Sequence, residues 1–316
     1  SWLQNQHPHH RRRLLRLHHH RLAAIGREDV CFFSRLFLAI FLFLPVMSFG
    51  QEENSNDTNN NSYENYSSSM INVSYTNNNL LYLATPTDVD YVTEKIPTLF
   101  TSLSFMHKTG FYLGGSYNSY FNARTKTFEL EIESGYQKYF DNGFDIDLGY
   151  NYHNFNGDSL LEGLAYNHRL TFMLGQEIDK FYISSDLSYK LGNTNNLFFD
   201  FNLSRFIQVD EIFSDSDVLL INPGISVSFG TDYWLYEHLS DIEKNNLFIN
   251  FKQQGYSYES FSYESFNIFI PISYGIKKIY FTGSWMYRIP GKKYEYIGWE
   301  NQSSFMFSLT YFLNFY

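Results

Sequence analysis

The chain has 316 residues, a formal charge of −10, one cysteine and an aromatic content of 20%. A single Cys excludes an intrachain disulfide scaffold and a thiolate-rich structural zinc site, and the net acidity argues against nucleic acid as a partner. With 32 Phe and 27 Tyr at a mean hydropathy of only −0.33, the apolar residues must be interleaved with polar ones rather than gathered in blocks, as in amphipathic strands.

Composition breaks near residue 50. Seven of the eleven Arg and six of the ten His lie in the first 35 residues, among them Arg11, Arg12, Arg13, His18, His19 and His20, whereas every Lys comes after residue 94. The first Met is Met47, so residues 1–30 are expected to be an upstream, non-native extension. Its His tract carries no metal expectation, because such rings bind a metal only where geometry lets them converge. The apolar run Leu36 to Leu44 follows Arg35 and leads to Pro45 and then Ser48-Phe49-Gly50, with small residues at −3 and −1 of a cut before Gln51. Residues 31–50 therefore read as a secretory signal peptide. The run is about half of the ~20 apolar residues that a spanning helix needs. Residues 51–96 are expected to be a disordered periplasmic segment, since stretches such as Asn54-Ser55-Asn56-Asp57-Thr58-Asn59-Asn60-Asn61 offer too little apolar surface to offset their conformational entropy.

From residue 97 the pattern has period two. Phe128, Leu130, Ile132, Tyr136 and Phe140 share one parity against Glu129, Glu131, Glu133 and Gln137. After the hairpin signal Asp141-Asn142-Gly143 come Phe144, Ile146, Leu148, Tyr150 and Tyr152 against Asp145, Asp147, Asn151 and His153. Such runs are expected at 97–107, 110–121, 127–140, 144–154, 164–174, 181–191, 197–208, 218–230, 247–254, 266–274, 278–289 and 303–315. An apolar parity loaded with Phe and Tyr, opposed by Ser, Asn, Gly and charge, fits a transmembrane antiparallel β-barrel with a polar interior better than a soluble sandwich. The fold class is all-β, with about twelve strands and ten as the alternative. Twelve such runs would leave the long 231–246 connection at the short-turn end, so one of the runs near 218–230 and 247–254, or the 231–240 stretch, is misread. Pro223-Gly224 marks a break, and Arg205 on the apolar parity marks a rim or bulge.

The last run, Phe305 to Tyr316, alternates and ends on an aromatic. Here the sequence resembles the outer-membrane β-barrel proteins of Gram-negative bacteria, and its Asn-, Phe- and Tyr-rich usage resembles that of Bacteroidota. That resemblance implies an outer-membrane location after signal-peptide cleavage, contact with outer-membrane lipid, and recognition by the barrel-assembly machinery through Tyr311, Leu313, Phe315 and Tyr316. Phe315 falls on the apolar parity and Tyr316 on the polar one, a departure from a strictly terminal apolar aromatic.

Chemistry is sparse in this sequence. Glu129, Glu131, Glu133, Asp145 and Asp147 with His153 form an acidic stripe on two neighbouring strands, which in a pore concentrates cations. Pairing across Asp141-Asn142-Gly143 places Glu131 opposite His153 and Glu133 opposite Asn151, all facing the lumen; Arg169 and Lys190 are the cations that could neutralise them. The segment Tyr150 to Gly157 resembles the His-x-Ser-Asn-Gly segment of outer-membrane phospholipase A at His153, Asn156 and Gly157, but Phe155 stands where that family's nucleophile should be, and Ser159 is out of register. No catalytic residue, metal site or cofactor is expected, and the chain is not expected to be an enzyme. The reading is a small-solute channel or transporter with an acidic lumen, passing cationic or neutral solutes. A structural or interaction barrel with loop aromatics such as Tyr256, Tyr258, Phe261 and Tyr263 is the alternative, and a lipid hydrolase the disfavoured third.

Overall fold

A computed structural model describes residues 67–79, 96–121, 127–156, 166–192, 195–233, 241–258, 260–296 and 299–314. Its strands are β1 (Ser68–Asn79), β2 (Ile96–Met106), β3 (Phe111–Tyr120), β4 (Thr127–Tyr139), β5 (Phe144–Asn156), β6 (Tyr166–Ile178), β7 (Phe181–Gly192), β8 (Asn196–Arg205), β9 (Ile207–Asp210), β10 (Asp217–Ile221), β11 (Gly224–Thr231), β12 (Phe261–Ile276), β13 (Ile279–Pro290) and β14 (Gln302–Asn314). β8 and β9 are one stave interrupted at Phe206. β10 and β11 are another, interrupted at Asn222-Pro223. The result is a closed, antiparallel barrel of twelve strands. Each stave pairs with its sequence neighbour, and β1 pairs with β14 along Ser68↔Asn314 to Thr76↔Met306, which removes the sheet edge.

The alternation that defines each strand decides which side faces out. Ile132, Leu148, Leu170, Phe172, Leu174, Phe281 and Phe307 point away from the barrel and are exposed, whereas Glu131, Gln137, Asp145, Asn151 and Arg169 point inward and are buried. This burial is inverted relative to a water-soluble core, and it is stable only where the outer surface meets hydrocarbon. Among the described residues no helix is long and apolar enough to cross a membrane; the strands are the crossing elements.

The short connections 107–110, 140–143, 179–180, 211–216 and 277–278 all lie at one end, together with the start of β1 and the end of β14. The long ones, including 232–260 and 291–301, lie at the other. At the short-turn end Gly143 takes φ 82, and Phe140 N–H donates to Phe144 O at 2.7 Å, closing the turn that Asp141-Asn142-Gly143 announced.

Two expectations need correction, and their errors cancel in the strand count. Residues 68–79 lie within the segment expected to be disordered, yet they form β1, so the barrel begins at Ser68 rather than at residue 97. Asn72, Ser74 and Thr76 made the segment look like tether; its ladder is completed on both sides by β2 and β14, a tertiary gain invisible in local composition. Conversely, the run 247–254 is no strand. It lies largely in helix α1 (Asp241–Gln253), where Leu247 and Phe251 are the buried pair at helical spacing and Asp241, Glu243 and Lys252 suit the helix ends. With 247–254 removed and β1 added, the long 232–260 connection moves to the long-loop end. Arg205 sits at the rim with its guanidinium 5.9 Å from the Phe181 ring centre, beside the interruption at Phe206.

The long-loop end is itself folded. Asp232, after β11, forms a buried ion pair with Lys293 of the short helix α2 (Lys292–Tyr296) and accepts a hydrogen bond from Ser260 N at 3.0 Å. Lys293 Nζ lies 5.4 Å from the Phe251 ring centre, and Tyr294 stacks on Trp299 at 4.7 Å. Tyr258, expected as a free loop aromatic, instead stacks on Phe248 at 4.0 Å, and Tyr256 meets Phe251 edge-on.

Inward glycines let aromatic side chains lie flat on the wall. A Cβ built on Gly275 would meet the Tyr280 ring at 1.9 Å, whereas one on Gly283 meets nothing nearer than Phe307 at 3.9 Å. Gly275→Ala is therefore expected to lower the unfolding free energy by about 1–3 kcal/mol through forced displacement of that ring. Gly283→Ala should be neutral or slightly stabilising. Urea unfolding in lipid vesicles, followed by heat-modifiable gel mobility, distinguishes the two.

Candidate functional site

Strand alternation brings the charged inward residues onto one half of the wall. β4 contributes Glu129, Glu131 and Glu133, β5 contributes Asp145, Asp147 and His153, β6 contributes Arg169, β7 contributes Asp186 and Lys190, and β8 contributes Asp200. Glu131 stands opposite His153 and Glu133 opposite Asn151, the register read from the sequence. The opposite half, on β13, β14, β1 and β2, is rich in hydroxyls, including Thr282, Ser304, Thr76, Thr98 and Ser102, and among the described residues its inward charge is Arg288 near the long-loop end of β13.

The densest cluster is toward the long-loop end. Glu129 accepts hydrogen bonds from Tyr120 OH at 2.8 Å and Asn118 Nδ2 at 3.0 Å, and its Oε1 lies 2.6 Å from His153 Nδ1. Glu131 accepts from Asn151 Nδ2 at 2.6 Å and Arg169 Nη2 at 3.3 Å, with His153 Nε2 3.5 Å away. Arg169 also donates to Tyr166 OH at 3.4 Å, and the Tyr166 ring centre is 4.4 Å from that of His153. The expected Glu131–His153 pair is thus displaced: the close carboxylate is Glu129, the diagonal neighbour, which a long side chain on a twisted pair reaches more easily than the residue directly opposite. His153 is also buried rather than bathed in water, at 2% exposure. Tyr120 and Tyr166 were missed by sequence reading because Tyr also populates the outer girdle; register assigns Tyr120 inward, and Tyr166, on the outward parity of β6, lies beside His153 and Arg169 at the register shift between Tyr166 and His168.

Nearer the short turns the carboxylates are held mainly by neutral donors. Tyr182 OH donates to Asp145 at 2.9 Å, Tyr112 OH to Asp147 at 2.8 Å, and Asn202 Nδ2 to Asp186 at 2.6 Å. Asp186 stands directly opposite Asp200, which accepts from Ser228 Oγ at 2.5 Å. Glu133 faces inward beside Gly114. Arg169, Lys190 and Arg288, the inward cations among the described residues, all lie nearer the long loops, with Arg169 and Lys190 in the rung of Glu133 and Asn151. Arg288 donates to Asn267 Oδ1 at 3.0 Å, and Lys190 Nζ packs over the Tyr166 and Phe198 rings at 4.7 and 4.3 Å.

The hydrolase resemblance finds no support in this geometry. Phe155 faces the lumen with its ring 6.0 Å from that of Tyr120, and His153 Nε2 has no hydrogen-bond partner. Ser159 lies outside the described residues. Among the described residues no group of three or more His, Cys, Asp or Glu is arranged to hold a metal ion. Of the C-terminal assembly residues, Tyr311 points outward and pairs with Ile71 and Ile279, and Leu313 pairs with Ser69; Phe315 and Tyr316 lie outside the described residues.

No protein-family model matches the chain, and no curated protein matches it. Among solved structures it is similar to the KdgM porin, with a TM-score of 0.43 and 10% identity over 77% of this chain and 98% of that one. It is also similar to LpxR from Salmonella typhimurium, with a TM-score of 0.47 and 8% identity over 77% of this chain and 100% of that one. A third is the NanC porin, with a TM-score of 0.41 and 9% identity over 77% of this chain and 98% of that one. Likeness at this level brings no substrate and no reaction to this chain; its reading as a barrel of the outer-membrane type rests on closure and on the inverted faces.

Two outcomes follow from the cluster. Arg169→Ala removes a cation that Glu131 needs and should cost about 3 kcal/mol in unfolding free energy, most of it recovered in the Arg169→Ala, Glu131→Gln double variant. Vesicle unfolding of the three proteins measures this. Purified wild-type protein should release no fatty acid from phospholipid vesicles, and His153→Ala should leave that result unchanged while costing about 1–3 kcal/mol, because Glu129 loses a buried partner.

Proposed function

We propose that this protein is an outer-membrane channel for small solutes whose lumen favours cations over anions, exported by a signal peptide that ends before Gln51. The observation that carries this reading is the inward charge distribution: Glu129, Glu131, Glu133, Asp145, Asp147, Asp186 and Asp200 line the β4–β8 wall, where Arg169 and Lys190 are the cations among the described residues. Fixed carboxylates in a narrow aqueous path raise the local cation concentration and exclude anions. The hydroxyls of Tyr112 and Tyr182 orient Asp145 and Asp147 without neutralising them. In this reading the short turns face the periplasm and the folded 232–260 and 291–301 connections face outward. Outer-membrane lipid covers the exposed aromatic face, and the barrel-assembly machinery inserts the chain through its last strand. Among the described residues nothing in the lumen supplies an activated nucleophile, and no reaction is assigned.

A second reading, a structural barrel without conductance, is favoured by the burial of inward side chains: Gln137, Asp145 and Thr310 are each no more than 1% exposed. Planar-bilayer recording separates the two. The expected result is a discrete conductance whose reversal potential in a KCl gradient reports cation preference, with the Asp145→Asn, Asp147→Asn double variant moving that preference towards unity. Anion preference would overturn the charge argument, silence would favour the structural barrel, and recovery of the mature protein in a soluble fraction without detergent would remove both.

A further inference from the structure

The hydroxyl-rich half of the lumen wall carries unpaired buried polar atoms side by side, where the charged half has them singly. Asn72 Oδ1 and Ser74 Oγ on β1, Ser308 Oγ and Thr310 Oγ1 on β14, and Ser284 Oγ on β13 are all buried and make no hydrogen bond. The five residues are between 0 and 6% exposed. They are contiguous: Asn72 pairs with Thr310 and Ser74 with Ser308 across β1–β14, while across β13–β14 Ser308 pairs with Thr282 and Ser284 with the adjoining inward residue Met306. Neighbouring strands lie ~4.8 Å apart and same-face residues ~7 Å apart, so these atoms span a patch about 10 by 14 Å, the footprint of roughly two or three sugar rings.

Buried polar atoms are almost always paired, and one left alone loses its water without return. The same wall does pair its hydroxyls just beyond this band. Thr76 and Ser304 bond at 3.0 Å toward the long loops, and Ser273 and Thr282 bond at 3.0 Å beside it. Gln137, His153, Ser188 and Ser204 also carry a buried atom without a partner, but singly, on β4, β5, β7 and β8. The unpaired band is thus a local feature of β13, β14 and β1, and it is directed into the barrel.

Its chemistry selects the ligand. A hydroxyl offers one donor and two acceptor lone pairs, and the Asn72 carbonyl adds an acceptor, so the band presents alternating donors and acceptors with no net charge. A carboxylate or phosphate ligand would find no cation within the band, since Arg288 lies two inward positions beyond Ser284 on β13 and donates to Asn267, and it would face the carboxylates of the other wall. A cationic ligand would prefer that other wall. Below the band the Tyr280 and Phe312 rings meet edge-to-face with centroids 6.5 Å apart, an apolar floor for the C–H face of a ring. Phe100 faces inward beside Ser74 on β2.

We infer that the β13–β14–β1 wall is a binding lane for a neutral polyhydroxylated solute, a saccharide, with Asn72, Ser74, Ser284, Ser308 and Thr310 as its hydrogen-bonding positions. This rests on the channel reading above for how the solute enters, and the test keeps the two apart. Maltotriose is added to the reconstituted protein in a planar bilayer, beside a polyethylene glycol of matched hydrodynamic size, which has the bulk but few hydroxyls. Wild type should show transient blocking by maltotriose and not by the glycol. The Ser308→Ala, Thr310→Val double variant should weaken that block by about tenfold, with unit conductance and cation preference unchanged. Equal blocking by both probes, or an undiminished block in the variant, would mean that water alone fills the band and would overturn the lane. If wild type conducts no current, the channel reading fails, and calorimetric titration of the folded protein with maltotriose in detergent decides the lane by itself. Binding that weakens tenfold in the variant upholds it; no binding overturns it. Heat-modifiable gel mobility verifies that the variant folds, and Ser74→Ala takes its place if it does not.

Discussion

The rest of the structure depends on closing the backbone hydrogen-bond ladder between β1 and β14. In hydrocarbon each unpaired N–H or C=O costs several kcal/mol, so a spanning sheet cannot keep an edge. The pairing from Ser68↔Asn314 to Thr76↔Met306 removes that edge, and it does so with the least strand-like sequence in the barrel. Asn72 and Asn77 to Asn79 have little intrinsic strand preference; ladder closure on both sides supplies what propensity does not. The same strand carries part of the unpaired hydroxyl band, so the segment that completes the barrel also gives its neutral wall its character.

Closure imposes inside-out burial, and two accommodations follow. Bulky lumen aromatics need recesses, and inward glycines provide them: Tyr112 lies against Gly135 and Gly149, Tyr182 against Gly175, and Tyr280 against Gly275. Two staves also break, at Phe206 and at Asn222-Pro223, which face each other through Arg205 N–H donating to Pro223 O at 2.9 Å. Pro223 cannot donate to a ladder, and placing it at an interruption leaves no neighbour unsatisfied. Beside this break Phe206, Val218, Leu220 and Tyr280 form an inward apolar cluster at the short-turn end.

Electrostatically the lumen is divided both around and along its axis. Around it, β4 to β8 carry charge and β13, β14, β1 and β2 carry hydroxyls. Along it, Arg169, Lys190 and Arg288 sit toward the long loops, where Glu129 and Glu131 share His153 and Arg169. Toward the short turns the acids have Tyr, Asn and Ser donors. Neutral donors hold a carboxylate in place without supplying a positive charge, whereas Arg169 supplies one to Glu131.

Sequence by itself determined the strand parity, the hairpin at Asp141-Asn142-Gly143 and the Glu131–His153 and Glu133–Asn151 register, because a period of two and a tight turn leave one alignment that keeps Phe and Tyr on a single face. It also located the breaks at Arg205 and Pro223-Gly224, where a residue contradicts its strand. What only the tertiary structure decided are the features whose energy comes from a partner remote in sequence. β1 is a strand because β14 and β2 flank it. Leu247, Ile249 and Phe251 alternate like a strand, yet 241–253 is a helix because Leu247 and Phe251 together bury against the folded loops. His153 lies closer to Glu129 than to Glu131 because diagonal reach on a twisted sheet is set by side-chain length and twist, neither of which a linear pattern records.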